Sequence, residues 1–345
     1  MLKSKIKTAI VICNSYKGGA LNVVEQHIQY LLKRNVNVIV FTDKNNFQDK
    51  SILKLKNFKI YNLNIFSPSF SERKILKETL SKYDSSNTIL FIVNFAIFVY
   101  YFFYLKKKIK CFLFIHSGVL SVNIKQYLLA FIFSLVSFKV FCLRFGSNSA
   151  LRWWIKKFPW MKQDSKVFYN GIVLKKGNTK KISKIIRISF AGRLEEENNP
   201  YLFCDIADHF KDKNVKFQVF GDGSQLSFLK KKYKKIISFK GWKKTDEVYS
   251  NSEILLICGP VNNYPYAALE AKNYGIPVIS CSKGDIRKII KNTKDGYICN
   301  NNTQDFIKKI KLTIKRYSML TKNTLKTRKN FELNKSMKKF WMGYK

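Results

Sequence analysis

Acidic residues are scarce in this chain. Its 22 Asp and Glu stand against 64 Lys and Arg, a formal net charge of +42 over 345 residues. Glycine and proline are also few, 15 and 6, which argues against collagen-like repeats and extended disorder. No repeat at a solenoid period is present. The 3 histidines and 7 cysteines form no CxxC or His-rich cluster, so nothing in the sequence points to zinc. Cys13, Cys111, Cys142, Cys204, Cys258, Cys281 and Cys299 are scattered and odd in number. Most sit in apolar, strand-like runs and read as small core residues in a reducing compartment.

The basic excess is not a tail. Residues 1–175 hold 28 basic and 7 acidic residues, and residues 176–345 hold 36 and 15, an excess of +21 in each half. Such a field favours anionic partners. No zinc finger, aromatic RNA-binding signature or basic zipper is found, so no nucleic acid partner is expected; an anionic membrane surface is. Lys3, Lys5 and Lys7 precede only the short run Thr8 to Cys13, which reads as a first strand rather than a signal peptide. Thr88 to Leu105 is eighteen residues without a charge, followed by Lys106 to Lys108, and could just span a bilayer. Asn94 divides it, however, into a strand at Ile89 to Val93 and a short aromatic helix. The expectation is a buried strand and core helices, with the helix near Phe98 to Leu105 lying on a membrane surface. Gln126 to Phe145 is also apolar but is punctuated by Lys139 and Arg144.

The length suggests about two domains, and alternating strand and helix patterns argue for parallel sheets with helical crossovers. Strands are predicted at Ile6 to Cys13, Val36 to Thr42, Phe58 to Leu63, Ile89 to Val93, Cys111 to His116, Val140 to Phe145 and Lys166 to Tyr169. Helices are predicted at Asn22 to Lys33, Glu72 to Lys82 and Ser149 to Lys157. A polar link, Leu174 to Lys184, leads to strands at Ile186 to Ala191, Phe217 to Gly221, Ile237 to Lys240, Ile254 to Cys258 and Pro277 to Ser280. The expected domains are 1–173 and 174–329, with a C-terminal helix over 330–345.

The stretch richest in chemistry is Gly259 to Ser280, GPVNNYPYAALEAKNYGIPVIS. It follows an apolar strand with a loop and then a helix-like run, Ala267 to Tyr274. A helix start is an anion site, because its first N–H groups are unpaired and the dipole favours negative charge. Glu270 lies one turn further in. It is too far along to cap, and could accept hydrogen bonds from hydroxyls beside a phosphate, as on a ribose.

Further motifs appear in order: ISFAGRL at Ile188 to Leu194, FQVFGDG at Phe217 to Gly223, ISFKGW at Ile237 to Trp242 and KDGYI at Lys294 to Ile298. The first half adds Gly18 and Gly19, His116 after a strand, and NGI at Asn170 to Ile172. Together these resemble the family 4 retaining glycosyltransferases over nearly the whole chain. The resemblance implies an α/β chain of the GT-B fold: two Rossmann-like domains with parallel sheets facing across a cleft, an N-terminal acceptor domain and a C-terminal donor domain, and a last helix crossing back to the first domain. It implies that Arg193, after Gly192, holds the donor diphosphate, and that Gly241 and Trp242 lie next to the nucleotide base. Tyr266 and Ala267 fall at the anion-binding helix start, Glu270 on the ribose, His116 near the transferred sugar. Gly18 and Gly19 let the first loop approach the ligand. Charge on the departing diphosphate is then met by cations and a helix N-terminus, with no metal and no other cofactor; the Asp-x-Asp motif of metal-dependent relatives is absent.

Three positions depart from the family pattern. Asn198 stands where a Lys is usual, Asn262 where a sugar-contacting Glu is usual, and Lys288 where a Glu is usual. Lys243, Lys244 and Lys283 are candidate replacements for the missing cation. His27 and His209, in predicted helices, read as structural. The implied activity is retaining transfer from a UDP- or GDP-sugar to a surface-glycan or lipid-linked acceptor at the cytoplasmic membrane face. The alternatives are a non-catalytic nucleotide-sugar-binding or partner subunit of a glycan assembly, and a membrane-bound scaffold without ligand.

Overall fold

Several apolar runs are buried along their whole length, as strands covered on both faces must be. TAIVI at Thr8–Ile12 and TILFIV at Thr88–Val93 are buried at every position. A computed structural model of the protein describes residues 6–14, 19–44, 47, 50–105, 108–115, 124–162, 165–175, 182–210, 214–260 and 264–342. The chain forms two units, 1–169 with 336–345, and 170–335.

In the first unit the elements run β1 (Thr8–Ile12), α1 (Gly19–Leu32), β2 (Asn37–Thr42), β3 (Phe58–Asn62), α2 (Phe70–Lys82), β4 (Thr88–Val93), α3 (Phe95–Tyr101), β5 (Lys110–Ile115), α4 (Ile124–Val136), β6 (Cys142–Phe145), α5 (Asn148–Lys157) and β7 (Ser165–Val167). All seven strands are parallel, in the order β3-β2-β1-β4-β5-β6-β7. The second unit continues with β8 (Ile186–Ala191), α6 (Pro200–His209), β9 (Val215–Phe220), α7 (Leu226–Tyr233), β10 (Ile237–Gly241), α8 (Thr245–Ser250), β11 (Ile254–Ile257), α9 (Tyr266–Asn273), β12 (Val278–Ser280), α10 (Ile286–Ile289), β13 (Gly296–Ile298), α11 (Thr303–Lys315) and α12 (Tyr317–Thr327); α13 (Leu333–Met342) begins in it and belongs to the first unit from residue 336 on. Its six parallel strands run β10-β9-β8-β11-β12-β13. Both orders reverse beside the unit's first strand, the arrangement of Rossmann sheets, which bind ligands at the carboxyl ends of the strands flanking the reversal.

Local chemistry sets the element ends. Ser69 and Glu72 form a reciprocal capping box that starts α2 at Phe70, two residues before the predicted start. Asn94, at φ 116°, caps α3 by accepting from the Ala96 amide at 2.8 Å, which is why it interrupts the apolar run. The aromatic helix near Phe98 to Leu105 packs as the expected core helix and does not lie wholly at a surface. Ile97, Phe98 and Tyr101 are buried, and the Tyr101 hydroxyl donates to the Ile65 carbonyl at 2.9 Å. Only its end, at Phe103, is fully exposed. Among the described residues no helix is long and apolar enough to cross a membrane.

The unit boundaries fall at 169/170 and 335/336, against 173/174 and 329/330 from the sequence. The reason is a short parallel pairing at Ile172 and Glu332. Ile172 N–H donates to Phe331 O at 2.7 Å and its carbonyl accepts from Leu333 N–H at 2.8 Å, so both crossing segments belong to the second unit there. Further on, Phe340 and Trp341 of α13 pack in the first unit against Phe91, Phe114 and His27. His27 is fully buried in this aromatic cluster.

Candidate functional site

Strands β8 and β11 are neighbours in register, so the turn after β8 and the loop after β11 leave the sheet side by side at its carboxyl edge. The turn after β8 is Gly192–Arg193, and strand β9 holds it. Gly192 N–H donates to Phe220 O at 3.0 Å, Leu194 N–H to Asp222 O at 2.9 Å, and Gln225 N–H to Leu194 O at 3.1 Å. The glycines of FGDG permit this approach: a Cβ on Gly221 would lie 1.8 Å from the Gly192 carbonyl oxygen, and one on Gly223 would lie 2.6 Å from that of Leu194. Glu195 fastens the same two turns by accepting from Ser224 N–H at 2.9 Å and Ser224 Oγ–H at 2.5 Å. These bonds hold its carboxyl below the usual range.

Arg193 is exposed, and its Nη2 donates to Glu197 Oε1 at 2.6 Å. An incoming anion must therefore displace or share Arg193 with Glu197. Asn198, in the family's Lys position, donates from Nδ2 to the Arg193 carbonyl at 2.9 Å. It steadies the turn and adds no charge. Asn199 adopts a left-handed conformation, φ 49°, and caps α6 with Pro200 at its first position.

On the far side of β9, Gly241 ends β10 at φ +67°, with open space where a Cβ would stand. Its carbonyl accepts from Gly221 N–H at 2.9 Å, which links the third turn to the first two. Trp242 follows and is 44% exposed, a flat apolar face available at this edge. Lys243 pairs with Glu247 at 2.8 Å.

The loop after β11 leads to α9. Pro265 stands at the N-cap, where its ring offers no capping acceptor, before the first residues Tyr266 and Ala267. The helix starts at the carboxyl edge, with Ala268 N–H on the Pro265 carbonyl at 3.1 Å, and its dipole puts partial positive charge there. Glu270, one turn in, accepts from Thr245 Oγ1 at 3.2 Å and from Tyr249 Oη at 3.0 Å. The single Tyr249 phenol proton is shared with the Ala267 carbonyl, 3.2 Å away. Desolvation raises the Glu270 carboxyl to about 7, with the Tyr249 and Thr245 hydrogen bonds opposing it. Burial, with Glu270 beside it, pushes the Tyr249 phenol well above its usual value.

Lys272 anchors α9 through a buried ion pair with Asp295, Nζ–Oδ2 2.7 Å. Asp295 also accepts from Thr327 Oγ1 at 2.8 Å and Lys291 N–H at 2.7 Å, so its lone pairs are satisfied. Burial lowers the Lys272 pKa, with Asp295 opposing. Of the other lysines named from sequence, Lys283 is tied to the α9 loop by its N–H on the Pro260 carbonyl at 3.0 Å. Lys288 lies on α10 and is exposed.

The structure thus brings Gly192, Arg193, Asn198, Gly241, Trp242, Tyr266, Ala267 and Glu270 to the carboxyl edge of one sheet or the elements leaving it. Gly18, His116 and Asn262 lie outside the described residues, and Gly19 opens α1. Sequence reasoning missed Thr245, Tyr249 and the Glu195–Ser224 clasp. Each partner lies more than twenty positions from the residue it serves, and no local motif marks it.

Residues 173–334 match the family model described as Glycosyl transferases group 1. A 148-residue stretch is 28% identical to the UDP-Gal:alpha-D-GlcNAc-diphosphoundecaprenol alpha-1,3-galactosyltransferase of Escherichia coli, covering 38% of each chain. A 122-residue stretch is 31% identical to the amylovoran biosynthesis glycosyltransferase AmsD of Erwinia amylovora, covering 32% of this chain and 33% of that one. The matched stretches thus span about a third of these relatives' lengths. In structure the chain is similar to HepE of Anabaena, solved in complex with UDP, with a TM-score of 0.76 at 13% identity over 98% of this chain and 99% of that one. The two Rossmann-type sheets and this likeness establish the GT-B fold, and the unit bearing Arg193 and Glu270 is a glycosyl transferases group 1 domain.

Proposed function

We propose that the protein is a retaining glycosyltransferase, of hexosyltransferase type, that takes a sugar from a nucleoside diphosphate donor. The observation that carries this reading is the convergence of Arg193, the start of α9 and Glu270 at the switch point of one sheet. Arg193 exchanges Glu197 for the donor diphosphate, and a guanidinium can engage two of its oxygens. The first N–H groups of α9 meet the same charge as it grows on the leaving group. Glu270 accepts the ribose hydroxyls, and Trp242 offers a face for the base. His116 and Asn262 are assigned to the transferred sugar by the family resemblance alone. No divalent metal is required, because cations and a helix terminus supply the positive potential.

UDP is favoured over GDP, since UDP is bound by HepE and UDP-Gal is named as donor of the Escherichia coli relative. That relative acts on a diphosphoundecaprenol-linked glycan, and AmsD serves amylovoran synthesis. A lipid-linked or growing surface glycan, such as a lipopolysaccharide or capsule, at the cytoplasmic face of the cell membrane is the acceptor proposed here. The protein would be peripheral on that face.

Thermal shift with UDP and GDP, with and without EDTA, tests the donor site, because a ligand of the folded state raises its stability. Stabilisation by UDP that survives EDTA is expected; its loss in EDTA would overturn the metal-independent reading. A UDP- and GDP-sugar panel with acceptor membranes tests transfer. One observation favours a second reading, a nucleotide-binding but non-catalytic subunit: Asn198 clamps the Arg193 carbonyl where the family supplies a cation. Binding without turnover, unchanged in Asn198→Lys, would select it.

A further inference from the structure

Helix α4 carries apolar residues on two faces. Ala130 and Phe133 point into the core, where Phe133 packs on Phe98 and Trp154. Ile124, Tyr127, Leu128, Phe131 and Leu135 recur at helical spacing on the other side, all exposed, and the first four line a shallow hollow. The apolar surface continues beyond the helix. Tyr127 and Phe131 touch the Phe158 ring, which touches Trp160, 56% exposed. At the other end Phe138 and Phe103 stand out beside Lys139, whose Nζ lies 4.6 Å from the Phe102 ring centre. A soluble surface rarely leaves so large a contiguous apolar area bare without use.

The stretch that carries this patch has charge of one sign. Between Asp84 and Asp164 the chain has no acidic side chain and eleven basic ones. Lys108, Lys110, Lys125, Lys139, Lys156 and Lys157 are exposed. An apolar and aromatic face bordered by lysines, in a stretch of chain without a carboxylate, is complementary to a bilayer with anionic headgroups. It is poorly complementary to a second copy of itself, which would oppose like charges.

We infer that the outer face of α4, continued by Trp160, Phe138 and Phe103, is the surface by which the protein docks on an anionic phospholipid bilayer. The stripe lies in the interface with its bordering lysine heads at the headgroups. This inference rests on the membrane-side location proposed above, and it assigns that location to particular side chains.

The test is co-sedimentation of the full chain with phosphatidylglycerol-containing and with pure phosphatidylcholine vesicles. The wild type and two double variants are compared, Leu128→Glu with Phe131→Glu, and Lys125→Glu with Lys139→Glu. All four positions are exposed, and circular dichroism with the UDP thermal shift verifies that each variant is folded. Wild-type protein is expected on the anionic vesicles. The apolar double variant should bind at least about tenfold more weakly, because each Glu removes buried apolar area and repels the headgroups. The lysine double variant should lose the preference for anionic over neutral lipid. Equal binding by wild type and apolar variant overturns the surface assignment while leaving the membrane location standing. Absence of wild-type binding to either vesicle overturns both. A wild-type dimer in sedimentation velocity that the apolar variant converts to monomer overturns the inference in favour of a copy-to-copy interface.

Discussion

Helices α4 and α11 have thirteen residues each, and they use their apolar residues in opposite ways. In α11 Phe306, Ile310 and Thr313 are buried, and lysines fill much of the outer side. Its start is capped by Asn302, which accepts from Asp305 N–H at 2.9 Å. In α4 the buried side is as apolar, but the outer side is apolar too. The contrast extends to the units that carry them. The second unit presents polar, hydrogen-bonded machinery at its carboxyl edge and anchors it with a buried ion pair. The first unit exposes aromatic and aliphatic side chains from Tyr100 to Trp160 within an acid-free stretch. The same Rossmann-type strand order thus carries the proposed anion site in one unit and the proposed lipid-facing surface in the other, because function resides in loops and outer faces.

The largest effect should come from breaking the anchor of α9. Asp295→Ala strands the buried Lys272 ammonium and should cost about 3–5 kcal/mol of stability, measured by urea denaturation. A cost below ~1 kcal/mol would mean that the pair does not hold the helix. Next in size is the core of α11. Ile310→Ala should cost about 2–5 kcal/mol, as deletion of a fully buried aliphatic side chain does. The matching change on α4, Leu128→Ala, should stay within roughly 0.5 kcal/mol, since Leu128 is more than half exposed. Similar costs at the two positions would erase the contrast between the helices.

Smaller but more informative is Glu270. Glu270→Ala should weaken UDP binding by about 1–3 kcal/mol in calorimetry, the value of lost hydrogen bonds to a carboxylate. Its raised pKa gives a signed pH dependence. The carboxyl titrates at 4.5 ordinarily and near about 7 when folded. The stability it contributes is therefore present below about 4.5 and is lost as pH rises through about 7. Against Glu270→Gln, wild-type protein should lose relative stability between those pH values and hold a constant difference above them. UDP binding should move the other way: ribose hydroxyls need the ionised acceptor, so wild-type affinity gains on that of Glu270→Gln as pH passes about 7. Parallel pH profiles in the two proteins would remove Glu270 from the ribose. A small effect on folding is likewise expected for Glu197→Gln, which breaks an exposed ion pair of about 0–1 kcal/mol. If Glu197 masks Arg193, that variant should bind UDP more tightly than the wild type.

Much of the fold was legible in the sequence, for a physical reason. Strands covered on both faces are mostly apolar, so Ile186 to Ala191 is read to the residue despite Arg187 and Ser189, and the other predicted strands to within about two, while the short β13 at Gly296–Ile298 was not among them. The Gly192–Arg193 turn, the FGDG turn and the start of α9 were legible because backbone geometry restricts which residues fit. The carboxyl edge was equally implicit, since parallel strands end on one side. The sequence did not show what surrounds Glu270, because Thr245 and Tyr249 reach it from another helix. Nor did it show that Asn198 would turn back onto the Arg193 carbonyl, since a side-chain amide carries no mark of the partner it will choose.

Composition and pattern by themselves therefore determined the class of fold, most of the strand sequence and the residues proposed to hold an anion. Only the tertiary structure decided direction. Ile124 to Val136 is apolar around most of its circumference, so periodicity cannot say which side meets the core. Packing of Phe133 against Phe98 and Trp154 turned Leu128 and Phe131 outward. The same rule took Phe98 inward, from where a surface had been expected, because a helix wedged between a sheet and a neighbouring helix buries its largest side chains on the side where both can touch them.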